Sequence, residues 1–200
     1  MKQSSLIVLA AAAIFTALAP LARGAPVTLQ GNRLISAIKS NDYDAVAALL
    51  KGGAGVDGLA AQDEYGRPPL EVAAFEGNIE IMKLLVAYKA KPDGHGRYGS
   101  TALQTACAGG QYHLASYLLD LGANPNAQDN YGYTALMCAA RRAQLDLVKL
   151  LVAKGARTAV RNRDGHTALD LLRSEGSTLP DAAEVAALLG GPRKHPPATY

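Results

Sequence analysis

The sequence predicts an all-α solenoid of about five helix-turn-helix units joined by β-turn fingers. The first observation is a 33-residue period, which is clearest at four glycines: Gly66, Gly99, Gly132 and Gly165. Apolar positions keep the same step in three further series: Leu70, Leu103, Leu136 and Leu169; Ala73, Ala106 and Ala139; Leu85, Leu118 and Leu151. Within each period, two short apolar stretches fall at helical spacing. Because two short helices cannot bury their apolar faces alone, such a unit requires adjoining copies of itself.

Residues 129–161 contain the clearest copy of the unit. Thr134 follows the glycine of the turn and is placed to accept a hydrogen bond from a free amide in the first turn of a helix. Leu136 lies on the apolar face of that first helix, and Leu151 lies on the apolar face of the second. Gly155 is placed to end the second helix in a left-handed conformation.

Three Thr-Ala-Leu triplets begin at Thr101, Thr134 and Thr167, and residues 122–127 read Gly-Ala-Asn-Pro-Asn-Ala. On these motifs the sequence from about residue 32 to residue 189 resembles the ankyrin-repeat family. The family's His after the Leu of the triplet is replaced by four other residues: Glu71, Gln104, Met137 and Asp170. Since that His usually ties the turn by hydrogen bonds, the departure predicts looser turns in this chain.

The predicted ankyrin-repeat domain spans residues 25–191. Its units lie at approximately 31–62, 63–95, 96–128, 129–161 and 162–191. The first unit is polar outside its apolar stripe, as a terminal repeat must be, because one of its faces meets water. The step from Leu34 to Leu70 is 36 residues rather than 33, which predicts a longer connection at 58–65.

The fifth unit departs from the period after Leu172. Residues 173–181 predict a polar linker, and Asp181 is placed to cap a closing helix. Residues 192–200 hold three prolines and no periodic apolar residue. They predict a disordered tail, because they cannot bury enough apolar surface to order the chain.

Residues 1–24 predict a cleaved secretory signal peptide. A positive residue precedes the uncharged, mostly apolar run 6–19, which is too short to span a bilayer comfortably. Ala22 and Gly24 put small residues where a signal peptidase reads them, which predicts cleavage before Ala25. An uncleaved membrane anchor is the alternative. The short, alanine-rich signal is typical of bacteria, so we expect a periplasmic localisation.

Cleavage would change the charge of the chain. The whole sequence has 20 basic and 17 acidic residues, and cleavage removes two basic residues, Lys2 and Arg23, and no acidic one, which leaves a formal net charge of +1. Such a balance lacks the basic surface that nucleic acid or an anionic membrane requires. We therefore expect no nucleic-acid partner and, after cleavage, no membrane partner.

The residue pattern predicts no catalytic, cofactor-binding or metal site. The four histidines have no partner at metal-ligand spacing, and no serine lies on a nucleophile elbow. Cys107 and Cys138 fall on first helices of neighbouring units, whose axes pack about 8–10 Å apart. Most disulfides need a Cα separation of about 4.4–6.8 Å, which favours two packed thiols and leaves a disulfide as the alternative.

The remaining candidate is a binding surface. In the ankyrin family the turn tips and the exposed side of the first helices form a concave recognition face, and the resemblance implies the same face here. Nine residues occupy the corresponding positions: Tyr65, Arg67, Phe75, Tyr98, Tyr131, Tyr133, Arg141, Arg142 and His166. Tyr and Arg carry much of the binding energy at interfaces, and adjacent arginines offer many donors to a partner's carboxylates. The alternative role for each Tyr is packing on the neighbouring turn.

These observations predict a monomeric, non-catalytic protein-protein interaction module of the bacterial periplasm, with a protein partner on the concave face. The chain is similar to small exported bacterial ankyrin proteins that have been linked to a periplasmic catalase and to peroxide resistance. That resemblance implies an accessory or scaffold role. Two alternatives stay open: an immunity protein that neutralises a toxin effector in the same compartment, and an enzyme with an unrecognised site.

Export gives the first testable prediction. We expect the mature protein to begin at Ala25 and to be released by osmotic shock, because the apolar run is short and is followed by a cleavage motif. N-terminal sequencing of the shock fluid measures this. Recovery of a chain that retains Met1 in the membrane fraction would contradict it.

Overall fold

The structure, a computed structural model, describes residues 27–57, 61–176 and 178–190. In these ranges it consists of α-helices and one π-helical turn joined by loops, with a single isolated β-bridge between His95 and Thr101 and no β-strand. None of the described helices combines the length and the apolarity needed to cross a membrane. The predicted signal peptide (1–24) and the predicted tail (192–200) lie outside the described residues.

The helices alternate between two rows. In chain order they are α1 (Val27–Lys39), α2 (Tyr43–Lys51), α3 (Pro69–Glu76), α4 (Ile79–Ala87), α5 (Ala102–Ala108), α6 (Tyr112–Asp120), α7 (Ala135–Arg141), α8 (Leu145–Ala153), α9 (Ala168–Leu171) and α10 (Ala182–Gly190). The first helices of the units, α1, α3, α5, α7 and α9, pack side by side in one row, and each second helix packs against the first helix of its own unit. The predicted all-α solenoid is confirmed.

The periodic apolar residues form the core that joins the units. Leu103 and Leu136 are each 1% exposed, and Leu118 and Leu151 on the second helices are fully buried. Ala106, like its counterparts in the adjoining repeats, is also fully buried. Its small side chain lets neighbouring first helices approach closely, so the core is continuous along the stack.

Threonine starts three of the first helices. Thr134 Oγ1 accepts a hydrogen bond from the backbone N–H of Met137 at 3.3 Å, and Thr101 and Thr167 cap α5 and α9 in the same way. This satisfies one of the amides that a helix start leaves unpaired. Gly155, just after α8, has φ 88° and so adopts the predicted left-handed conformation.

The structure corrects the predicted bounds at both ends of the stack. Helix α1 begins at Val27, four residues before the predicted start of the first unit. The polar linker predicted for 173–181 is wrong in its first half, because α9 continues into a π-helical turn at Leu172–Gly176. Leu172 is 1% exposed and anchors this turn in the core. The closing helix α10 begins directly after Asp181, as predicted.

Gln104, which stands where the family has His, ties its turn by side-chain hydrogen bonds. Its Oε1 accepts from the backbone N–H of Thr101 at 2.8 Å. Its Nε2 donates to the carbonyl oxygens of Tyr133, at 2.6 Å, and of Ala127, at 3.2 Å. These bonds join the third repeat to the turn of the fourth. The expectation of a looser turn is therefore wrong at Gln104.

Glu71 occupies the same position one repeat earlier, and its carboxyl group is buried. The residue is 2% exposed. Its Oε1 accepts hydrogen bonds from Ser100 Oγ at 2.6 Å and from Thr105 Oγ1 at 3.3 Å, whereas Oε2 has no partner in the described part of the chain. Burial raises the pKa of Glu71, and the two hydroxyl donors only partly oppose this effect. The fold therefore tolerates an acid here at a cost in stability.

Truncation of Leu136 tests the register of the repeats. Leu136→Ala should lower the free energy of unfolding by about 2–5 kcal/mol. The buried side chain would lose its apolar contacts and leave a cavity in the core. Urea denaturation of the purified protein measures this loss. The control Lys154→Ala removes only an exposed ion pair with Asp120, so it should cost less than about 1 kcal/mol. Equal midpoints for the two variants would show that Leu136 is not a core residue.

Replacement of Glu71 by Gln tests its buried charge. Because the fold raises the pKa of Glu71 above 4.5, its contribution to stability is largest below pH 4.5 and is lost as the pH rises through the folded-state pKa. Glu71→Gln should therefore be more stable than the wild type at neutral pH, and the difference should shrink in acid. Urea midpoints across this range measure it.

The matched control for this series is Glu80→Gln, which makes the same change at an exposed site on α4. It should follow the wild type at every pH, within the small contribution of an exposed ion pair. A constant difference between Glu71→Gln and the wild type from acid to neutral pH would mean that folding leaves the pKa of Glu71 unchanged.

Candidate protein-binding face

The turns between units carry most of the candidate residues, and side-chain acceptors hold these turns in shape. Asp129 Oδ1 accepts hydrogen bonds from the backbone N–H groups of Tyr131 and Tyr133, both at 2.8 Å. Asp63 makes the corresponding pair of bonds two repeats earlier. This role of the Asp residues was not predicted from the sequence. An Asp two residues before the tip of a glycine turn was the signal that could have found it.

Successive turns touch each other, and glycine makes this contact possible. Gly132 has φ 80°, and a Cβ atom at this position would lie 2.9 Å from the backbone nitrogen of Arg163 in the next turn. That nitrogen donates to the carbonyl oxygen of Tyr131 at 3.0 Å, and Asn130 N donates to Tyr98 O in the same way at 2.9 Å. The turns at 63–67, 96–100, 129–133 and 162–166, together with the exposed side of the first helices, form what we call the turn face.

Three tyrosines project from this face at the 33-residue step. Tyr65 and Tyr131 are each 57% exposed, and Tyr98 is 47% exposed. About half of each side chain therefore remains in solvent rather than buried against the neighbouring turn. Tyr133 differs, because it is half-buried and packs against the core. His166 lies in the fourth turn and is exposed, and its backbone N–H donates to Asn162 Oδ1 at 2.8 Å.

Arg67 is held inside the face rather than projecting from it. Its guanidinium carbon lies 4.2 Å from the ring centroid of Phe75 and 5.2 Å from that of Tyr65. Its Nη2 pairs with Asp63 Oδ2 at 2.7 Å, and both side chains are largely buried. Although burial opposes it, hydrogen bonding to Arg67 lowers the pKa of Asp63. Arg67 therefore packs against the two exposed rings, and two of its donor groups, Nε and Nη2, are already engaged by Asp63.

The adjacent arginines of the fourth repeat are not equivalent. Arg141 Nη2 pairs with Glu175 Oε2 at 2.6 Å, and its guanidinium carbon lies 5.8 Å from the centroid of Tyr133. Arg142 is exposed and forms no ion pair within the described ranges. Both arginines and Glu175 line a cavity of about 200 Å³, together with Cys138 and Ala108. Glu175, whose role was not predicted from the sequence, reduces the number of Arg141 donors available to a partner.

The candidate residues thus gather in two places. Tyr65, Arg67, Phe75 and Tyr98 line a groove of about 520 Å³ across the second and third repeats. Tyr133, Arg141 and Arg142 lie together at the fourth repeat. Tyr131 at its turn tip and His166 in the last turn line neither cavity.

The cysteines are both free, which agrees with two packed thiols. Burial raises the pKa of the Cys107 thiol, and burial together with Asp129 raises that of Cys138 to about 11. Neither thiol is therefore ionised to a useful extent at neutral pH, and thiolate chemistry is not favoured at this site. Among the described residues, no group of three or more His, Cys, Asp or Glu side chains could hold a metal ion.

Comparison with known proteins identifies the family. The model described as Ankyrin repeats (3 copies) matches residues 27–94, 89–162 and 122–178. No curated protein matches the sequence. Proteins built from these repeats are typically interaction modules without enzymatic activity. The matched segments together cover more than half of the chain and coincide with the stacked helix pairs, so this protein belongs to the ankyrin-repeat family.

Proposed function

We propose that this protein is a non-catalytic docking module that binds a protein partner on its turn face. The observation that carries the proposal is the column of Tyr65, Tyr98 and Tyr131, each about half exposed and repeated at the step of the stack. Tyrosine offers a large, rigid contact area at a low cost in conformational entropy. The ring of each Tyr is therefore a suitable anchor for a partner.

Pre-organisation of the turns supports the same proposal. Asp63 and Asp129 fix the turns that carry Tyr65 and Tyr131, and backbone hydrogen bonds link each of these turns to the next. Ordering a flexible loop on binding opposes association, so a surface that is already ordered retains more of its contact energy as affinity. The turn face meets this condition without help from a partner.

The cellular role is the second part of the proposal. We infer an accessory or scaffold protein of the bacterial periplasm that supports a periplasmic catalase. Two features of the sequence support it: the predicted signal peptide at 1–24 and the similarity to small exported bacterial ankyrin proteins. A docking surface without catalytic groups suits a protein that acts by holding another protein.

Substitution of the three tyrosines tests the docking face. The protein partner is first captured from periplasmic extract and identified by mass spectrometry, and its affinity is then measured by titration. Replacing Tyr65, Tyr98 and Tyr131 together with Ala should weaken binding by at least about 30-fold, because a single central aromatic residue of an interface contributes about 2 kcal/mol or more. Unfolding free energy should change little, because the rings are exposed.

The control variant changes three exposed side chains on the second helices: Lys83, Lys149 and Lys154, each to Ala. It should bind the partner as the wild type does. If this variant loses binding and the tyrosine variant keeps it, the partner uses the outer surface of the stack and the proposed face is wrong.

Gene deletion tests the catalase role. Loss of the protein should lower catalase activity in the osmotic-shock fluid and survival in peroxide. The wild-type gene should restore both, and the tyrosine variant should not. Unchanged catalase activity in the deletion strain would refute the accessory role without affecting the docking proposal.

A further inference from the structure

We propose that the groove above Glu71 is a subsite for a basic side chain, lysine or arginine, of the docked protein partner. The groove lies between the second and third repeats, and its walls include the exposed rings of Tyr65, Phe75 and Tyr98. Its volume of about 520 Å³ falls within the usual range of small-molecule pockets, so a single long side chain has room to enter. This inference rests on the proposed docking function, and it specifies the chemistry of one contact.

Glu71 lines the groove, and one of its carboxylate oxygens is buried without a partner in the described part of the chain, which points to a hydrogen-bond donor as the occupant. Glu71 is 2% exposed, and its Oε2 has no partner among the described residues. Both neighbouring hydroxyl donors, Ser100 and Thr105, bind the other oxygen. An unpaired buried acceptor destabilises the fold, so a donor that reaches Oε2 recovers the missing interaction.

The charge balance of the groove favours a cationic donor. Its own cations are already neutralised, since Lys39 pairs with Glu64 at 2.6 Å and Arg67 pairs with Asp63 at 2.7 Å. Two acids in the lining, Glu71 and Glu76, form no ion pair in the described ranges, although the charge of Arg67 acts on Glu71. A charge-assisted hydrogen bond to a carboxylate is also stronger than a neutral one. A lysine or arginine therefore complements this excess of negative charge.

The aromatic walls add a second attraction for a cation. Arg67 already lies over Tyr65 and Phe75 at cation–π distance. No cation of the described chain lies over Tyr98 in this way, so its ring face is available to an incoming side chain. The apolar stem of lysine or arginine would contact the rings while its charged end reaches the carboxyl group.

The basic side chain that this groove fits is best supplied by a protein rather than by a small free cation. The groove is open, and Tyr98 in its wall is joined to the next turn by the bond between its carbonyl oxygen and Asn130 N. A partner segment that crosses successive turns can therefore place one basic residue over Glu71 and still contact Tyr131. A small free cation would use the groove alone and gain none of these neighbouring contacts.

Short peptides provide the probe for this subsite. The purified protein, labelled with ¹⁵N, is titrated with acetyl-Gly-Lys-Gly-amide and with acetyl-Gly-Arg-Gly-amide, and the amide chemical shifts are followed by NMR. The neutral counterparts contain norleucine and citrulline at the central position. We expect the two basic peptides to shift the amides of Glu71, Phe75 and Ser100 with saturable, weak affinity, and the neutral peptides to leave them unchanged.

The decisive variant is Glu71→Gln, which removes the charge at constant shape. Gln104 occupies the equivalent position one repeat later, so the substitution suits the fold. It should weaken binding of the basic peptides by at least about tenfold, because it replaces a charge-assisted hydrogen bond with a neutral one. Glu80→Gln, the same change outside the groove, should bind the peptides as the wild type does.

Two results would overturn the inference. Equal binding of the lysine and norleucine peptides would mean that the groove is only an apolar surface, and equal binding to wild type and Glu71→Gln would mean that the carboxyl group is not the recognition element. Neither result affects the docking function, which the tyrosine variant tests separately with the captured partner. Conversely, a partner that binds the tyrosine variant as tightly as the wild type refutes the docking function, whatever the peptides do.

Discussion

The close approach of successive turns is the constraint on which the rest of the structure depends. At Gly132 a side chain would collide with the backbone of the next turn, and at Gly66 it would lie 2.6 Å from Arg97 Cβ. Backbone hydrogen bonds therefore hold each turn at a fixed distance from the next turn. The helices that follow these turns are therefore spaced in the same way, so Leu103 and Leu136 lie in one continuous core.

In each unit, the residues that stabilise the stack are different from the residues that are exposed at the turn. Side chains that point into the stack, such as Leu136 and Ala139, are almost fully buried, whereas Tyr131 in the same unit is 57% exposed. Because a turn bonds to the next turn through its backbone and through Asp129, its exposed side chain is free to vary without loss of the fold. A docking surface built on these tips is both rigid and independent of the core.

Charge on the turn face is mostly satisfied within the chain. Asp63 engages Arg67, and Glu175 engages Arg141, so neither arginine presents all of its donors to solvent. What remains unbalanced is the buried carboxyl group of Glu71, beside exposed aromatic rings. The groove therefore offers a partner aromatic surface and an acid, whereas the arginines that the sequence first suggests are engaged within the chain.

Most of the fold, but little of the candidate site, could be predicted from the sequence. The 33-residue period, the threonine caps and the buried leucines depend on local patterns, because helix spacing and a left-handed glycine can be read within a few residues. By contrast, the candidate residues could be identified by position but not grouped. Their division between a groove at Tyr65 and a cluster at Arg141 required the relative placement of whole repeats.

The sequence by itself determined that the chain is a stack of ankyrin repeats with tyrosines at its turn tips. Only the tertiary structure decided which charges are engaged and which are free. The bond from Gln104 to Tyr133, the pairing of Arg141 with Glu175 and the bond from Ser100 to Glu71 each join residues that lie 29 to 34 positions apart. No local pattern encodes such contacts, because they exist only after neighbouring repeats have packed and excluded water from between them.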